Sequence, residues 1–193
     1  MVILDDSPFY YTYGIGFDFD KQFTPKTNAG FEVGLVIKDY REDAGRSTAR
    51  DENGTEYDMA ADISYQAMDH ILLTTSAGYT NLDTEISFYR NTEFSFGLGA
   101  IVTYASPDNI DTGPWSTSLS STVLYRRYHV PNPSVGSFKK RKDTEIRTTL
   151  LTSVPVTDEW SMTTSLAHTV VDSNFKNYIY TNWAMAIGVS RRF

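Results

Sequence analysis

Apolar and polar residues alternate with a period of two along almost the whole chain, and this alternation constrains the fold more than any other feature. Such alternation is typical of β-strands with one apolar face. In the first segment Tyr13, Ile15 and Phe17 would share one face, whereas Gly14 and Asp18 would share the other. About nine such segments of roughly ten residues follow one another: 11–19, 31–37, 57–65, 71–79, 94–104, 115–127, 145–154, 160–170 and 178–193. We therefore expect an all-β protein.

The length of these segments is close to the 9–11 residues that a tilted strand needs to cross a bilayer. No run approaches the ~20 apolar residues of a membrane-spanning helix, so any crossing would be made by strands. The connections alternate between short ones, such as 67–69 and 156–159, and long ones, such as 41–56 and 130–142. Outer-membrane barrels have short periplasmic turns and longer outer loops in this order.

The sequence thus predicts an antiparallel, up-and-down transmembrane β-barrel, with residues 1–193 as one outer-membrane domain. If the last strand ends at the periplasmic side, the long loops lie outside. Because closed bacterial barrels normally have an even number of strands, we expect at least one further strand before Phe9, and hence the C-terminal part of a larger barrel. The alternative is a two-layered sandwich whose apolar faces meet in a dry core, since local alternation does not separate the two folds.

The end of the chain resembles the C-terminal assembly signal of outer-membrane proteins, which is read by the barrel-assembly machinery. Apolar Met185, Ile187, Val189 and terminal Phe193 alternate with smaller residues, including Gly188 at the sixth position from the end. Arg191 departs from this pattern, because an apolar or aromatic residue is usual there. Near the edge of a bilayer an outward Arg can extend its charge to the headgroups at a cost near 0–1 kcal/mol.

Composition excludes several classes of function. The chain has no cysteine, so disulfides, thiolate metal sites and cysteine nucleophiles are excluded. A net charge of −7 argues against a nucleic-acid partner, which needs clustered positive charge. The histidines His70, His129 and His168 lie on or beside different segments, and no motif of a hydrolase or a metalloenzyme accompanies them. We therefore predict no catalytic site, no metal site and no cofactor.

Short motifs in the second half of the chain resemble those of a known family. They are Arg141-Lys142-Asp143 at the start of one segment, Pro155 with Trp160 around the next turn, Asp172-Ser173-Asn174, Tyr178, Tyr180, and the closing Gly188 to Phe193. Together they resemble the C-terminal barrels of the surface lipoprotein assembly modifiers, which are linked to periplasmic tetratricopeptide repeats and related to exopolysaccharide-export barrels. This resemblance implies translocation or surface display of a lipoprotein, or of another macromolecule such as a polysaccharide, at the bacterial outer membrane.

Two sets of charged residues are candidate functional sites. The predicted lumen-facing set would select solutes or line a passage, or would be solvated side chains without a specific role. It contains Asp18, Asp20, Glu32, Lys38, Asp58, Asp62, Arg126, Glu145 and Arg147. The second set, Lys139, Lys140, Arg141 and Lys142, lies in a predicted outer loop. It would contact the phosphates of lipopolysaccharide, or would be an exposed loop without a partner.

Three functions are compatible with these patterns. The first is a barrel that assists translocation or display of a macromolecule, together with a periplasmic repeat domain. The second is a passive diffusion porin. The third is a soluble or surface β-domain that binds a partner.

Overall fold

The computed structural model describes residues 2–4, 7–40, 53–106, 113–133 and 138–191, and most of them belong to β-strands. The first strand is short, with three residues, and the other nine strands in the described ranges contain 12–18 residues. The strands are β1 (Val2–Leu4), β2 (Ser7–Thr24), β3 (Thr27–Tyr40), β4 (Gly54–Met68), β5 (Ile71–Thr84), β6 (Asn91–Tyr104), β7 (Trp115–Tyr128), β8 (Lys142–Pro155), β9 (Trp160–Ser173) and β10 (Tyr180–Arg191).

All ten strands form one antiparallel sheet in which each strand pairs with its neighbours in sequence. β10 forms one edge of the sheet. The other edge is formed by the short strand β1 and, where β1 does not cover it, by β2. Within the described residues these two edges do not pair, so the sheet is open. The prediction of an all-β, antiparallel, up-and-down arrangement is confirmed at this level, and closure into a barrel is not seen.

Eight of the nine predicted segments lie within one of the long strands, but the strands extend beyond the predicted bounds. Ladder pairing continues past the apolar residues into polar ones, as at Thr55 opposite Asp83 and Gly54 opposite Thr84. The last segment is the exception, because Lys176–Tyr178 form a short 3₁₀ helix and β10 begins only at Tyr180. The predicted length of about ten residues was therefore too short for most strands.

The connections follow the predicted alternation with one deviation. Two-residue turns at 25–26 and 69–70 and a four-residue turn at 156–159 lie at one end of the sheet. At the opposite end, 13 residues separate β3 from β4 and β7 from β8, and six-residue connections with 3₁₀ helices follow β5 and β9. The connection between β6 and β7 joins these strands at the same end as the short turns, but with ten residues it is longer than expected. We call the two ends of the sheet the short-turn end and the long-connection end.

The sheet forms a single layer in the part of the chain that the structure describes. Its one buried hydrophobic residue there is Val171, and no side chain in these ranges is fully buried. Phe17, Leu98 and Ile187, which a sandwich would bury in its core, are 60%, 56% and 66% exposed. The described residues thus do not form the two-layered sandwich. None of the helices in the described ranges is long and apolar enough to cross a membrane.

Candidate functional site

The register of the strands divides the side chains into two continuous faces. Pairs such as Phe17 with Val33, Ala61 with Ala77, and Leu166 with Met185 keep apolar residues side by side across neighbouring strands. We call this the apolar face. In the regularly paired parts of β2 to β10 it contains the odd-numbered residues of β2 to β5, β7 and β10 and the even-numbered residues of β6, β8 and β9. The remaining strand residues form the polar face.

Almost all of the highly exposed large hydrophobic residues in the paired strands lie on the apolar face. Ile15 is 76% exposed and Met185 is 67% exposed. Leu151 and Tyr180 are exceptions on the polar face. In contrast, the buried residues Thr84, Asn91, Asp143 and Val171 all lie on the polar face. Side chains therefore crowd together on the polar face and stand apart on the apolar face.

Charged residues on the apolar face are confined to the ends of the strands. In the described strands each of them lies within four residues of a strand end, and the central part of the face carries none. These residues are Lys21, Asp39, Asp83, Arg127, Lys142, Asp172 and Arg191. The apolar face is thus a band without charge that has a charged border at each end.

Tyrosine and tryptophan residues on the apolar face form two rows. The row toward the long-connection end contains Tyr11, Tyr13, Tyr57, Tyr79, Tyr125 and Trp183. The row toward the short-turn end contains Tyr65, Tyr104, Trp115 and Trp160. Neighbouring rings contact each other, as in Tyr104 with Trp115, whose centroids are 6.3 Å apart. Between the rows the face consists mainly of Phe, Leu, Ile, Val, Met, Ala, Ser and Thr.

The nine residues of the predicted lumen-facing set all lie on the polar face. Five strands contribute them: Asp18 and Asp20 on β2, Glu32 and Lys38 on β3, Asp58 and Asp62 on β4, Arg126 on β7, and Glu145 and Arg147 on β8. Three ion pairs stabilise the long-connection half of this face, with N–O distances of 2.6 Å for Lys38–Glu56 and 2.5 Å for both Arg126–Glu93 and Arg147–Glu145.

Five carboxylates of this set form a separate acidic group on β2 to β4: Asp18, Asp20, Glu32, Asp58 and Asp62. Asp18 lies directly opposite Glu32, and Gly30 lies between Asp20 and Asp62. A Cβ atom at Gly30 would be 2.5 Å from Oδ1 of Asp62 and 2.8 Å from Oδ1 of Asp20, so both carboxylates extend over this glycine. None of these carboxylates belongs to an ion pair within the described residues. This part of the polar face is therefore strongly negative.

The basic run 139–142 does not form one patch. Lys139 and Lys140 are exposed in the connection, and Lys142 begins β8 on the apolar face. Arg141 turns away from them, because its guanidinium lies 3.8 Å and 4.0 Å from the ring centroids of Tyr128 and Tyr178 and 2.9 Å from Asp143. It lines a cavity of about 240 Å³ with the aromatic residues Phe88, Tyr89, Tyr128, Phe175 and Tyr178.

The residues of the C-terminal signal lie on β10. Met185, Ile187 and Val189 belong to the apolar face, Gly188 lies on the polar face, and Phe193 lies outside the described residues. Arg191, the departure from the pattern, lies opposite Trp160 on the apolar face. Its guanidinium is 2.8 Å from Glu159 and 5.5 Å from the centroid of the Trp160 ring.

Sequence reasoning did not find three features of these surfaces: the two aromatic rows, the Arg191–Glu159 pair, and the position of Arg127 beside Lys142. The Tyr and Trp spacing within each strand was a usable signal for the rows. The two pairs depend on register between strands.

Of the histidines, His168 stacks on Trp183 on the apolar face, with ring centroids 4.0 Å apart. No group of three or more His, Asp and Glu residues in the described ranges could hold a metal ion.

The geometry thus defines a class of protein: a single-layer antiparallel sheet with one apolar and one polar face. Comparisons with models of known families, with curated proteins and with solved structures give no match. The resemblance to the surface lipoprotein assembly modifiers therefore stays a hypothesis.

Proposed function

We propose that the chain forms part of the wall of a bacterial outer-membrane β-barrel, with the apolar face against lipid and the polar face lining a water-filled interior. One observation carries this proposal: the apolar face has charges only near the strand ends and a row of Tyr and Trp toward each end. This is the distribution that hydrocarbon flanked by two interfaces selects, since Tyr and Trp prefer the interface and charge is costly at the midplane.

A single layer cannot bury its own apolar face. Monomeric soluble proteins rarely expose contiguous apolar patches larger than a few hundred Å². Here the apolar face continues across nine long strands, from β2 to β10. Lipid would cover this surface without a second protein layer, whereas a soluble β-domain would need a partner of equal extent.

The strand lengths also support a membrane location. A 14-residue strand such as β5 or β6 is about 48 Å long at ~3.4 Å per residue. At the ~45° tilt of membrane strands it spans about 33 Å, compared with a hydrocarbon thickness of ~30 Å.

Closure of the barrel needs further strands in this proposal. β2 and β10 are separated by seven strands of alternating direction, so they run parallel to each other. Direct pairing between them would be parallel, and antiparallel closure requires an odd number of additional strands. β1 is antiparallel to β2 and therefore runs in the direction that antiparallel pairing with β10 requires, but it has only three residues. β1 is itself a strand before Phe9 and brings the described strands to ten, an even number. That the chain is the C-terminal part of a larger barrel stays a prediction.

The membrane location is tested by refolding the protein into phospholipid vesicles and by electrophoresis in SDS with and without heating. We expect insertion into vesicles and faster migration of the unheated sample, because folded barrels remain compact in SDS. A monomer that stays soluble without detergent and migrates identically in both samples would contradict the proposal and favour the soluble β-domain.

For the role of the barrel, the resemblance favours translocation or surface display of a lipoprotein or another macromolecule. Deletion of the full-length gene should remove at least one lipoprotein from the cell surface, as measured by protease accessibility on intact cells, and re-expression should restore it. Intact surface display of every lipoprotein would contradict this role.

A passive porin is the second candidate. The short-turn half of the polar face is rich in Ser, Thr and Gly, such as Ser120, Thr149 and Gly99, which suits an open aqueous channel. Stable conductance of the purified full-length protein in planar bilayers, together with normal lipoprotein display in the deletion strain, would favour the porin.

A further inference from the structure

The border of the apolar face at the long-connection end brings together two basic residues that the sequence separates by a long connection. Arg127, next to the end of β7, lies directly opposite Lys142, the first residue of β8. Both side chains are exposed. Residues directly opposite each other in an antiparallel pair have Cβ atoms about 4.5–5.5 Å apart. Two basic side chains therefore extend from neighbouring positions of the surface that the proposed barrel presents to lipid.

This arrangement is unfavourable without a counter-charge, because like charges in directly opposite positions destabilise a sheet. In the described part of the chain neither Arg127 nor Lys142 forms an ion pair. Two of the other charged residues near the borders of the apolar face have a partner of opposite charge: Arg191 pairs with Glu159, and Asp83 pairs with Arg90 at 2.8 Å.

The nearest carboxylate on the same face of β9 does not replace the missing counter-charge. Asp172 lies opposite Thr144, two residues from Lys142 along β8. It forms no ion pair with either cation within the described residues.

The surroundings position the guanidinium of Arg127 and the backbone of Lys142. The guanidinium of Arg127 lies 4.7 Å from the centroid of the Tyr125 ring, which belongs to the aromatic row toward the long-connection end. The backbone N–H of Lys142 donates a 2.8 Å hydrogen bond to Oδ1 of Asn174, and the Asn174 side-chain amide donates a 2.9 Å hydrogen bond to the carbonyl oxygen of Lys140. Asn174 thus holds the segment 140–142 beside the end of β9, with Lys139 and Lys140 exposed next to the pair.

We propose that Arg127 and Lys142 bind the phosphate of a lipid headgroup at the outer rim of the barrel. Arg and Lys supply charged donors for phosphate oxygens, and the planar guanidinium can bind two of them at once. Arg141 is not part of this site, because Tyr128, Tyr178 and Asp143 surround its guanidinium. The inference rests on the proposed membrane location and adds a lipid partner at one border of the apolar face.

Native mass spectrometry of the folded full-length protein, equilibrated with a mixture of phosphatidylglycerol and phosphatidylcholine, tests the site. The wild-type protein should retain phosphatidylglycerol preferentially. The double variant Arg127→Gln, Lys142→Gln should lower this preference roughly tenfold to thirtyfold, since each basic residue near an anionic surface contributes about a factor of five. The matched control is Arg126→Gln, Arg147→Gln, which removes the same charge from the same two strands on the polar face. It should leave the preference nearly unchanged.

Three other outcomes would overturn the proposed lipid site. An equal loss of preference in both double variants would overturn the site, because net charge alone would then explain lipid retention. An unchanged preference in the Arg127, Lys142 variant would also overturn it. Displacement of phosphatidylglycerol by millimolar inorganic phosphate would show that free phosphate, and not a lipid headgroup, is the occupant. Gel mobility and vesicle insertion report separately on the barrel: their failure in the wild-type protein would overturn both proposals, whereas normal insertion with unselective lipid binding would overturn the site alone.

Discussion

Arg191 shows how a charged residue at the border of the apolar face is stabilised by its neighbours. The sequence predicted a charge that extends to the headgroups, and the structure adds Glu159 and the Trp160 ring as its partners. Both charged side chains are substantially exposed, at 44% and 58%, so solvent screens the pair and its contribution to stability is small. If the apolar face contacts lipid, the main effect of this pair is to keep the charge of Arg191 at the turn and out of the hydrocarbon.

The centre of the apolar face should tolerate no such charge. Leu98 lies near the middle of β6 on this face, and Ser120 lies opposite Gly99 on the polar face. In vesicles, Leu98→Arg should lower the free energy of unfolding by about 2–4 kcal/mol, whereas Ser120→Arg should change it by about 0.5 kcal/mol or less. Urea unfolding of both variants in the same vesicles measures the difference. Equal effects would contradict contact between this face and lipid.

Arg141 should be sensitive to replacement even by lysine. Its planar guanidinium lies over both Tyr128 and Tyr178, and an ammonium group does not reproduce this stacking. We expect Arg141→Lys to lower the free energy of unfolding by about 1 kcal/mol, and Lys140→Gln, at the adjacent exposed position, to have almost no effect. A double-mutant cycle with Tyr178→Leu should give a coupling energy of similar size. Absence of coupling would show that the stacking does not stabilise the connections.

At the scale of the element, the start of β4 depends on close approach to β5. Gly54 pairs with Thr84, and a Cβ atom at Gly54 would overlap the carbonyl oxygen of Asp83. Because the obstacle is backbone, Gly54→Ala should separate the two strands and lower the free energy of unfolding by about 1–3 kcal/mol. Gly16→Ala is the control, since its Cβ would meet only the carbonyl oxygen of Val33, at 3.5 Å. Chemical denaturation of both variants checks this prediction, and similar stabilities would contradict it.

The period-two pattern was sufficient to predict the strands and which face each residue joins, because alternation is a property of a single strand. Strand ends were less predictable, since they depend on the partner. Asp83 continues β5 because Thr55 pairs with it, whereas Tyr178 falls in a 3₁₀ helix although the apolar pattern includes it. For the same reason the pairs Arg127–Lys142 and Arg191–Trp160 could not be predicted, because register between strands brings them together.

At the scale of the whole molecule, the polar face is electrically uneven. The five carboxylates of the acidic group on β2 to β4, which form no ion pair within the described residues, make a negative region. In contrast, Arg126 on β7 pairs with Glu93 on β6, and Arg147 pairs with Glu145 on β8. If this face lines the interior of the barrel, the negative region should attract cations into it. We therefore expect the assembled full-length protein to conduct cations in preference to anions.

Neutralising part of this region tests the expectation. The triple variant Asp18→Asn, Glu32→Gln, Asp62→Asn should lower the permeability ratio of potassium to chloride by roughly twofold or more, as measured by reversal potential in planar bilayers. The control Asp39→Asn, Asp83→Asn, Asp172→Asn removes three carboxylates from the apolar face and should leave the ratio unchanged. A similar shift in both variants would show that these carboxylates do not line the conducting path.

The strictly sequential strand order also has a kinetic consequence. Every strand from β2 to β9 pairs with the strands directly before and after it in the sequence, so the sheet can form by adding one hairpin at a time. Loop-closure entropy stays small in each of these steps. If the sheet closes into a barrel, only the pairing at its two edges brings distant parts of the polypeptide together, and we expect that step to limit the rate of assembly.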